Sequence, residues 1–279
     1  GPGSLRAAIQ TKGPRIILFR VGGIIDLNSP LTVSEPYVTI AGQSAPGDGV
    51  CLRGDNFAIR THDVIVRFLR VRLGDLRKRE ADSFSIVDGA RNVIVDHCSA
   101  SWSVDETLSP SGDIADVTVQ WSIISESLLN SIHAKGPHGY GTLLRATGGV
   151  SLHHNLWAHH NGRNPRFGDN YGEGAVPTFD FRNNVIYNFG SYCSGTTDGK
   201  IQVNYVANLV KPGLNSARRN PIVMGTDATE ETRFYVADNI VEGRDDLTFN
   251  NARMFDRTEA GGHRLFSLES AAFRTPALT

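Results

Sequence analysis

Residues 150–168 read Val-Ser-Leu-His-His-Asn-Leu-Trp-Ala-His-His-Asn-Gly-Arg-Asn-Pro-Arg-Phe-Gly. The first half alternates apolar and polar residues and ends on Asn155, which is typical of a short β-strand followed by a turn. The second half is polar and cationic, with Arg163 and Arg166 on either side of Pro165. The first half recurs along the chain and therefore predicts the architecture. The second half occurs once, so it is where we look for chemistry.

The recurring unit reads apolar, any, apolar, any, any, and then, in most copies, a small polar or amide residue. Its copies begin at Val38, Val64, Val93, Val117, Val150, Phe179, Val203 and Phe234, which are 24 to 33 residues apart. A β-sandwich would instead show hairpin turns about every eight to twelve residues. A propeller is the other alternative. Short strands that return in one register at this spacing favour an all-β parallel solenoid, in which each coil stacks on the coil below.

Asparagine fills the sixth position of the pattern in four copies, as Asn155, Asn184, Asn208 and Asn239. Asparagine tolerates left-handed backbone angles, and its amide can hydrogen-bond to a stacked neighbour. We therefore predict a ladder of stacked asparagines where these strands end. Ser122 and Cys98 continue the ladder as smaller residues.

The chain is predicted to form one domain over residues 1–279. Residues 1–30 would form an N-terminal cap and the first strands, with a short capping helix within residues 4–12, because the end of a solenoid needs a cover. The repeat fades after about residue 245, so residues 245–279 are predicted to be an extended or loosely packed tail.

Long insertions separate consecutive copies of the repeat, at residues 74–83, 99–115, 126–147 and 159–177. Insertions in a solenoid tend to emerge on one face, which is often the binding face. We therefore expect the polar residues of these four loops to meet in space.

Composition excludes several classes of function. Hydrophobic residues make up 40% of the 279 residues, and the formal net charge is −1. No basic excess points to a nucleic-acid partner, and no apolar run reaches membrane-spanning length. The three cysteines are too few for a disulfide scaffold and fit no metal-ligand spacing, so buried small hydrophobes are the simpler interpretation.

Acidic residues cluster in two of the loops, as Glu80 with Asp82 and Asp105 with Glu106. Carboxylates that converge from neighbouring coils repel one another unless a cation, a proton or an arginine lies between them. Ligand sets made only of oxygen favour Ca²⁺ or Mg²⁺ over zinc. The alternative is that these are solvated loop acids.

Cations lie in the next two loops, as Lys135, Arg163 and Arg166. Arginine can grip a carboxylate with two parallel hydrogen bonds, and lysine supplies a point charge. A groove with a divalent cation on one wall and these residues on the other would suit an anionic polymer. Solvated surface side chains are the alternative.

Two other constellations are weaker. The histidines at 153, 154, 159 and 160 could bind zinc, but no acidic or thiolate partner stands at ligand spacing. Asp96 and His97 lie near Ser99, Ser101 and Ser103, yet the Gly-x-Ser-x-Gly elbow of a hydrolase triad is missing. Packing is the simpler interpretation of both.

Three stretches occur in a fixed order: Thr39-Ile-Ala-Gly-Gln-Ser-Ala-Pro-Gly47, Asn92-Val-Ile-Val-Asp-His-Cys-Ser99, and His153-His-Asn-Leu followed by Arg163-Asn-Pro-Arg166. Together they resemble the pectate lyases of polysaccharide lyase family 1. The resemblance extends from about Ser4 to Gly243. It implies a right-handed parallel β-helix, a single-stranded solenoid, that cleaves polygalacturonate by β-elimination. It also implies Ca²⁺ as the cofactor, which would bridge acidic side chains and the substrate carboxylate and make the C5 proton easier to remove.

The same resemblance implies roles for individual residues. Arg163 matches the proton-abstracting arginine of the family, and the calcium carboxylates match Glu80, Asp82 and Asp105. Lys135 matches the substrate-binding lysine and is a second catalytic candidate.

This sequence departs from the family pattern at two positions. Ser109 stands where a further calcium carboxylate is expected, so Glu106 would have to complete the site. Gly168 stands where a second arginine is expected, so Arg166 would replace it in substrate binding. We add His138, in the Lys135 loop, to the substrate-binding set.

Two other functions fit the sequence. A glycoside hydrolase on the same scaffold would use Asp82 and Asp105 as its two carboxylates. A non-catalytic carbohydrate-binding β-helix would bind without turnover, since a fold does not fix a function. In each case the partner is an anionic polysaccharide such as polygalacturonate, and a polymer of this kind implies a secreted or periplasmic protein. We expect a monomer.

Overall fold

Short strands recur along the chain and stack in parallel, so that the backbone winds through one three-sided coil after another. The computed structural model of the protein describes residues 3–197, 199–217, 220–225, 228–256 and 266–275. Helix α1 (Leu5–Ile9) begins the chain, with Ser4 as its N-cap. Leu5 and Ile9 are buried, so this short helix covers the open end of the core, as the sequence predicts.

The first sheet contains, within the described residues, ten parallel strands. They are β1 (Arg15–Leu18), β4 (Val38–Ala41), β7 (His62–Arg67), β10 (Arg91–Asp96), β13 (Ala115–Gln120), β16 (Val150–His153), β19 (Thr178–Arg182), β22 (Ile201–Val206), β25 (Thr232–Ala237) and β28 (Ser267–Leu268). Every copy of the sequence repeat falls on a strand of this sheet. The repeat therefore predicts both the strands and their register.

The second sheet follows the first around each coil. Its strands are β2 (Gly23–Asp26), β5 (Val50–Arg53), β8 (Leu69–Arg72), β11 (Ser99–Ser101), β14 (Ile123–Ser125), β17 (Leu156–Ala158), β20 (Val185–Tyr187), β23 (Leu209–Lys211) and β26 (Ile240–Val241).

The third side of the coil is made of two shorter sheets. One contains β3 (Leu31–Val33), β6 (Phe57–Ile59), β9 (Phe84–Ile86) and β12 (Leu108–Pro110). The other contains β15 (Leu143–Ala146), β18 (Arg166–Asp169), β21 (Ser194–Thr196), β24 (Ile222–Val223) and β27 (Phe255–Asp256). The predicted all-β parallel β-helix is therefore confirmed.

Because the strands pair in the same register from coil to coil, similar side chains lie on top of one another in the core. Val64 and Val66 pair with Val93 and Val95 in the next coil, and all four are buried. Alternate residues of a strand point to opposite faces, so each strand sends its apolar positions inward. Burial of apolar surface at about 25 cal/mol per Å² is the main stabilising contribution of such a column.

The predicted asparagine ladder is present and buried. The N–H of Asn155 donates to Oδ1 of Asn184 at 2.9 Å, and Asn184 donates in the same way to Asn208 at 3.0 Å. Asn208 donates to Asn239 at 2.9 Å, and Asn239 donates to Asn251 at 2.8 Å. Each side chain therefore satisfies a backbone N–H that would otherwise be buried without a partner.

The backbone of this turn differs from the prediction. In seven of the eight copies of the repeat, the left-handed residue is the one before the sixth position: Phe68, His97, Trp121, His154, Asn183, Ala207 and Asp238 have φ between 49° and 58°. The preceding residue makes the bend, so the asparagine keeps its amide aligned with the stack.

The C-terminal segment carries more structure than an extended tail. Helix α2 (Asp245–Thr248), a 3₁₀ turn (Asn251–Arg253), β27 and β28 all lie beyond residue 244. Strands of two residues are too short to show an alternating pattern, so the sequence does not indicate them. Among the described residues, none of the helices is long and apolar enough to cross a membrane.

Candidate active site

Each of the four predicted insertions contains the turn where the chain passes from the second sheet to the third side. These turns follow β8, β11, β14 and β17 in consecutive coils. The predicted bounds are too wide in three cases, because 99–115 includes β11 and β12, 126–147 includes β15, and 159–177 includes β18. Parallel stacking places these loops one above another, as expected for insertions in a solenoid. The predicted site residues of distant sequence segments therefore meet at this edge.

Three of the predicted carboxylates converge there. Asp82, Asp105 and Glu106, here called the acid trio, each offer an oxygen within 4.8 Å of the others. The backbone N–H of Glu106 donates to Oδ1 of Asp82 at 3.1 Å, and Ser85 Oγ donates to Oδ2 of Asp82 at 3.2 Å. These two bonds fix Asp82 on the first loop beside the second.

The acid trio holds negative charge in a partly desolvated place. Burial, with the Asp105 charge as a second cause, raises the pKa of Asp82 to about 6. Burial also raises the pKa of Glu106 well above its usual value, and the Asp82 charge adds to this. Closely packed carboxylates with raised pKa values are the electrostatic condition that a bound cation relieves.

Glu80 occupies a different place from the acid trio. Its Oε2 accepts the N–H of Ala134 at 2.9 Å, and its Oε1 lies 3.4 Å from Nε2 of His133. Both oxygens thus face the loop after β14. The geometry makes Glu80 the link between that loop and the acidic one.

Two histidines from the loop after β14 lie against Asp105 of the acid trio. The rings of His133 and His138 stack in parallel, with centroids 3.7 Å apart and an interplanar angle of 8°. Both are buried, and Nε2 of His138 lies 2.7 Å from Oδ1 of Asp105. Burial lowers the pKa of His138, although the Asp105 charge opposes this.

A backbone contact fixes the tautomer of His133. The N–H of Lys135 donates to Nδ1 of His133 at 3.1 Å. Nδ1 is therefore an acceptor, and the ring proton of neutral His133 is on Nε2. A metal ligand needs a free lone pair, so Nε2 of His133 is not available to a cation in this state.

The donor set of the acid trio fits a hard cation. Oxygen-only ligands suit Ca²⁺, whereas a site with two imidazoles would suit zinc or another transition metal. Asp105 also lies within 4.8 Å of His133 and His138, but the His133 tautomer argues against that second ligand set. The trio itself is the better cation site.

Arg163 lies beside the acid trio and forms an ion pair with Glu106. Its guanidinium carbon lies 4.0 Å from the centroid of the Tyr140 ring, and its side chain hydrogen-bonds to Tyr192. Its backbone is left-handed, with φ of 59°. Its buried Nε has no hydrogen-bond partner. A strained backbone and an unsatisfied buried donor are features that cluster at functional sites.

The electrostatics of Arg163 are set by two opposed effects. Burial lowers the pKa of the guanidinium and is the largest single effect, but the Glu106 carboxylate together with Tyr192 and Tyr140 outweighs burial, and the pKa is raised. Glu106 therefore holds Arg163 in its protonated form.

The other two predicted cations lie at the edge of the site. Lys135 is exposed on the loop that carries the two histidines. Arg166 begins β18 and donates from Nε to the carbonyl of Thr196 at 3.1 Å. The structure thus brings the acid trio, His138 and Arg163 together, with Lys135 and Arg166 around them.

The two positions that depart from the family pattern have structural roles. Ser109 is buried in β12, and its Oγ accepts the N–H of Leu143 at 3.2 Å. A Cβ on Gly168 would lie 2.0 Å from Oγ1 of Thr197. No side chain other than hydrogen fits at position 168 without movement of its neighbours.

The sequence gives no signal for Tyr140, Tyr192 or His133. Tyr140 follows His138 by two residues, and Tyr192 lies in a separate coil, so their convergence on Arg163 depends on the stacking of coils. A glycine is the one indirect trace: a Cβ on Gly162 would lie 2.5 Å from Cε1 of Tyr192.

Each of the weaker constellations has a member that is buried among structural partners, whereas His154 and His159 are exposed. Asp96 is buried and lies 2.7 Å both from Nδ1 of His97 and from Nε of Arg67. His160 is buried between Ser127 Oγ and the carbonyl of Ile124, at 2.7 and 2.9 Å, and burial lowers its pKa to about 4. Cys51, Cys98 and Cys193 are free thiols.

The fold and the loop edge define the class of protein: the chain is a parallel β-helix protein with acidic and basic side chains together on its loops. Among solved structures it is similar to a pectate lyase from Bacillus sp. N165 in complex with trigalacturonate. The TM-score is 0.59 at 13% identity, over 84% of this chain and 76% of that one. It is also similar to a pectate lyase bound to hexasaccharide, with a TM-score of 0.50 at 15% identity, over 80% and 59%. At these identities the similarity concerns the fold.

The chain is also similar in sequence to named proteins. The chain is 38% identical over 267 residues to a protein named probable pectate lyase C from Aspergillus oryzae, which covers 94% of this chain and 58% of the relative. It is 39% identical over 221 residues to the protein of the same name from Neosartorya fischeri, over 78% and 48%. The chain thus spans about half the length of these relatives. No protein-family model matches it. The resemblance to pectate lyases is confirmed, and the chain is a homologue of the proteins named probable pectate lyase C.

Proposed function

We propose that this chain is a calcium-dependent pectate lyase that cleaves polygalacturonate by β-elimination. The observation that carries the proposal is the acid trio in contact with Arg163. The relatives named pectate lyase C and the similarity to a lyase solved with trigalacturonate support the choice of reaction and substrate.

The acid trio is the proposed calcium site, with Glu80 at its margin. Bound Ca²⁺ would draw electron density from the uronate carboxylate and make the C5 proton more acidic. The chain contributes three oxygens that the loops hold together before any ligand arrives, so little reorganisation accompanies binding.

Arg163 is the proposed base. Arg163 can accept the C5 proton only when its guanidinium is neutral, and the Glu106 carboxylate disfavours the neutral guanidinium. A bound cation would therefore have to neutralise part of the Glu106 charge before Arg163 can act. Tyr140 and Tyr192 hold the guanidinium in place meanwhile, and oriented groups of this kind lower the entropic part of the barrier.

The proposed site also includes residues that face the polymer or support those that do: Lys135, Arg166 and His138. Lys135 and Arg166 lie at the margin of the site and can pair with the carboxylates of neighbouring sugars. His138 is buried against Asp105, which places it behind the ligands. A polymer substrate also leads us to propose a secreted or periplasmic monomer.

The composition of the site disfavours the hydrolase alternative. A glycosidase needs two carboxylates on opposite sides of the bond that it cleaves. Here three carboxylates cluster together, and Arg163 forms an ion pair with one of them, an arrangement better suited to one shared cation.

The test is the ultraviolet absorbance of polygalacturonate mixed with the protein, with calcium and then with excess chelator. A rise from the unsaturated product that chelator abolishes is expected. A rise that persists in chelator would keep the lyase and remove the calcium site. Reducing ends without absorbance would indicate a hydrolase, and binding without cleavage would indicate a carbohydrate-binding protein.

A further inference from the structure

Three rings and a guanidinium contact one another in series across the site. The rings of His133 and His138 are 3.7 Å apart, His138 and Tyr140 are 4.3 Å apart at 67°, and Tyr140 is 4.0 Å from the Arg163 guanidinium carbon. We call His133, His138 and Tyr140 the ring column. It runs from the Glu80 side of the site to Arg163.

The ring column contacts acids along its length. Nε2 of His138 lies 2.7 Å from Asp105, and Nε2 of His133 lies 3.4 Å from Glu80. His133 carries its proton on Nε2, because Nδ1 accepts the N–H of Lys135. An imidazole N–H directed at a carboxylate fixes the orientation of that carboxylate, as outer-shell groups do around metal ligands.

The column is also well fixed by its own loop. The N–H of His138 donates to the carbonyl of Leu129 at 2.9 Å, and Glu80 accepts the N–H of Ala134 at 2.9 Å. Both imidazoles are buried. A movement of one imidazole therefore displaces the other, because these two stacked rings have no free space to absorb it, and His138 contacts Tyr140 directly.

We propose that His138 is a positioning residue that sets Asp105 and Arg163 relative to each other, through its N–H on one side and its ring on the other. The proposal rests on the proposed function, since it concerns the cation site and the base of that reaction. It assigns His138 two separable tasks. The N–H holds Asp105 for the cation, and the ring supports Tyr140 and, through it, Arg163.

Two substitutions separate these tasks. His138→Gln keeps an N–H donor of similar reach and removes the ring. His138→Phe keeps a ring in the column and removes the N–H. His154→Phe is the matched control, because His154 stacks on Trp121 in a different turn, with centroids 4.4 Å apart.

The measurements are calcium affinity by titration calorimetry without substrate, and kcat and KM at saturating calcium. We expect His138→Phe to weaken calcium binding about 10- to 100-fold, the usual effect of losing an outer-shell partner, and to lower kcat at saturating calcium much less than His138→Gln does. We expect His138→Gln to keep calcium affinity within about threefold and to lower kcat at least tenfold, with KM little changed. The control should match wild type in both.

The proposal is overturned if either variant binds calcium and turns over like wild type. It is also overturned if both variants lose both properties together, since that outcome indicates general packing. Tighter binding of Co²⁺ than of Ca²⁺, lost in both variants, would make His138 a ligand instead. If the wild-type protein does not cleave polygalacturonate, the proposed function fails, and the calorimetry still decides whether the N–H holds Asp105.

Discussion

Arg163 and Glu106 form a partly buried ion pair, although 57 positions separate them in the chain. The two residues come from loops of different coils, and each controls the charge of the other. Glu106 raises the pKa of Arg163, whereas the Arg163 charge opposes the upward shift in the pKa of Glu106. The proposed base and the proposed calcium ligands are therefore parts of one electrostatic unit.

Replacement of Arg163 should abolish most activity and leave the fold intact. Arg163→Lys keeps a positive charge opposite Glu106 but loses the planar guanidinium over Tyr140. We expect kcat on polygalacturonate to fall at least about 10²-fold, the usual contribution of a positioned base. Arg244→Lys is the control, because Arg244 pairs with Asp246 away from the site. Full activity of Arg163→Lys would remove Arg163 from the mechanism.

The metal-free protein should lose stability as the pH rises through about 6. The pKa of Asp82 is raised from its ordinary value to about 6 in the folded state, so folding favours the protonated carboxyl. Its contribution is therefore fully present below the unfolded pKa and is lost as pH rises through the folded pKa. We expect Asp82→Asn to be more stable than wild type by about 1–2 kcal/mol at pH 7.5 in chelator.

The measurement is thermal unfolding of both proteins between pH 4 and pH 8. Calcium should reverse the order at pH 7.5, because only wild type then gains the free energy of binding. If the unfolding temperatures of the two proteins change in parallel with pH, the raised pKa of Asp82 is not the cause of the pH dependence, and the prediction is wrong.

A methyl group added at position 162 should displace the Tyr192 ring and, through it, the Arg163 side chain. The Cβ of Gly162→Ala would lie 2.5 and 2.7 Å from two atoms of the Tyr192 ring, so the ring has to move. We expect about a tenfold loss of kcat, with little change in KM. In a Tyr192→Leu background the same substitution should cost much less, as a double-mutant cycle would record. Additive losses would mean that the clash acts elsewhere.

Loss of one ladder rung should destabilise the whole helix. Asn184 accepts the N–H of Asn155, and its amide donates to the carbonyl of Leu152 at 2.9 Å. Asn184→Ala leaves these buried groups without partners, at a cost of about 3 kcal/mol. Denaturant unfolding would measure it, with Asn250→Ala as control, because Asn250 is exposed. Equal stability of the two variants would show that the ladder is not a stabilising element.

The sequence predicts the architecture well because a solenoid repeats one local rule. The eight copies of the repeat all lie on the first sheet, and Asn155, Asn184, Asn208 and Asn239 form the predicted ladder. The need for a cover at the end of a solenoid predicts the capping helix. The repeat does not indicate the two-residue strands β27 and β28, which are too short for a periodicity.

The candidate site, like the fold, is predicted by the sequence only in part. Residue types and order alone predict that Asp82, Asp105, Glu106 and Arg163 would meet, because insertions in consecutive coils emerge on one face. Distances between side chains depend on how each loop folds back. Only the tertiary structure therefore decides that Glu80 links to the His133 loop, that Glu106 pairs with Arg163, and that His138 lies behind Asp105. Stacking fixes which coils are neighbours, whereas the packing of irregular loops fixes which atoms touch, and that packing has no repeat to reveal it.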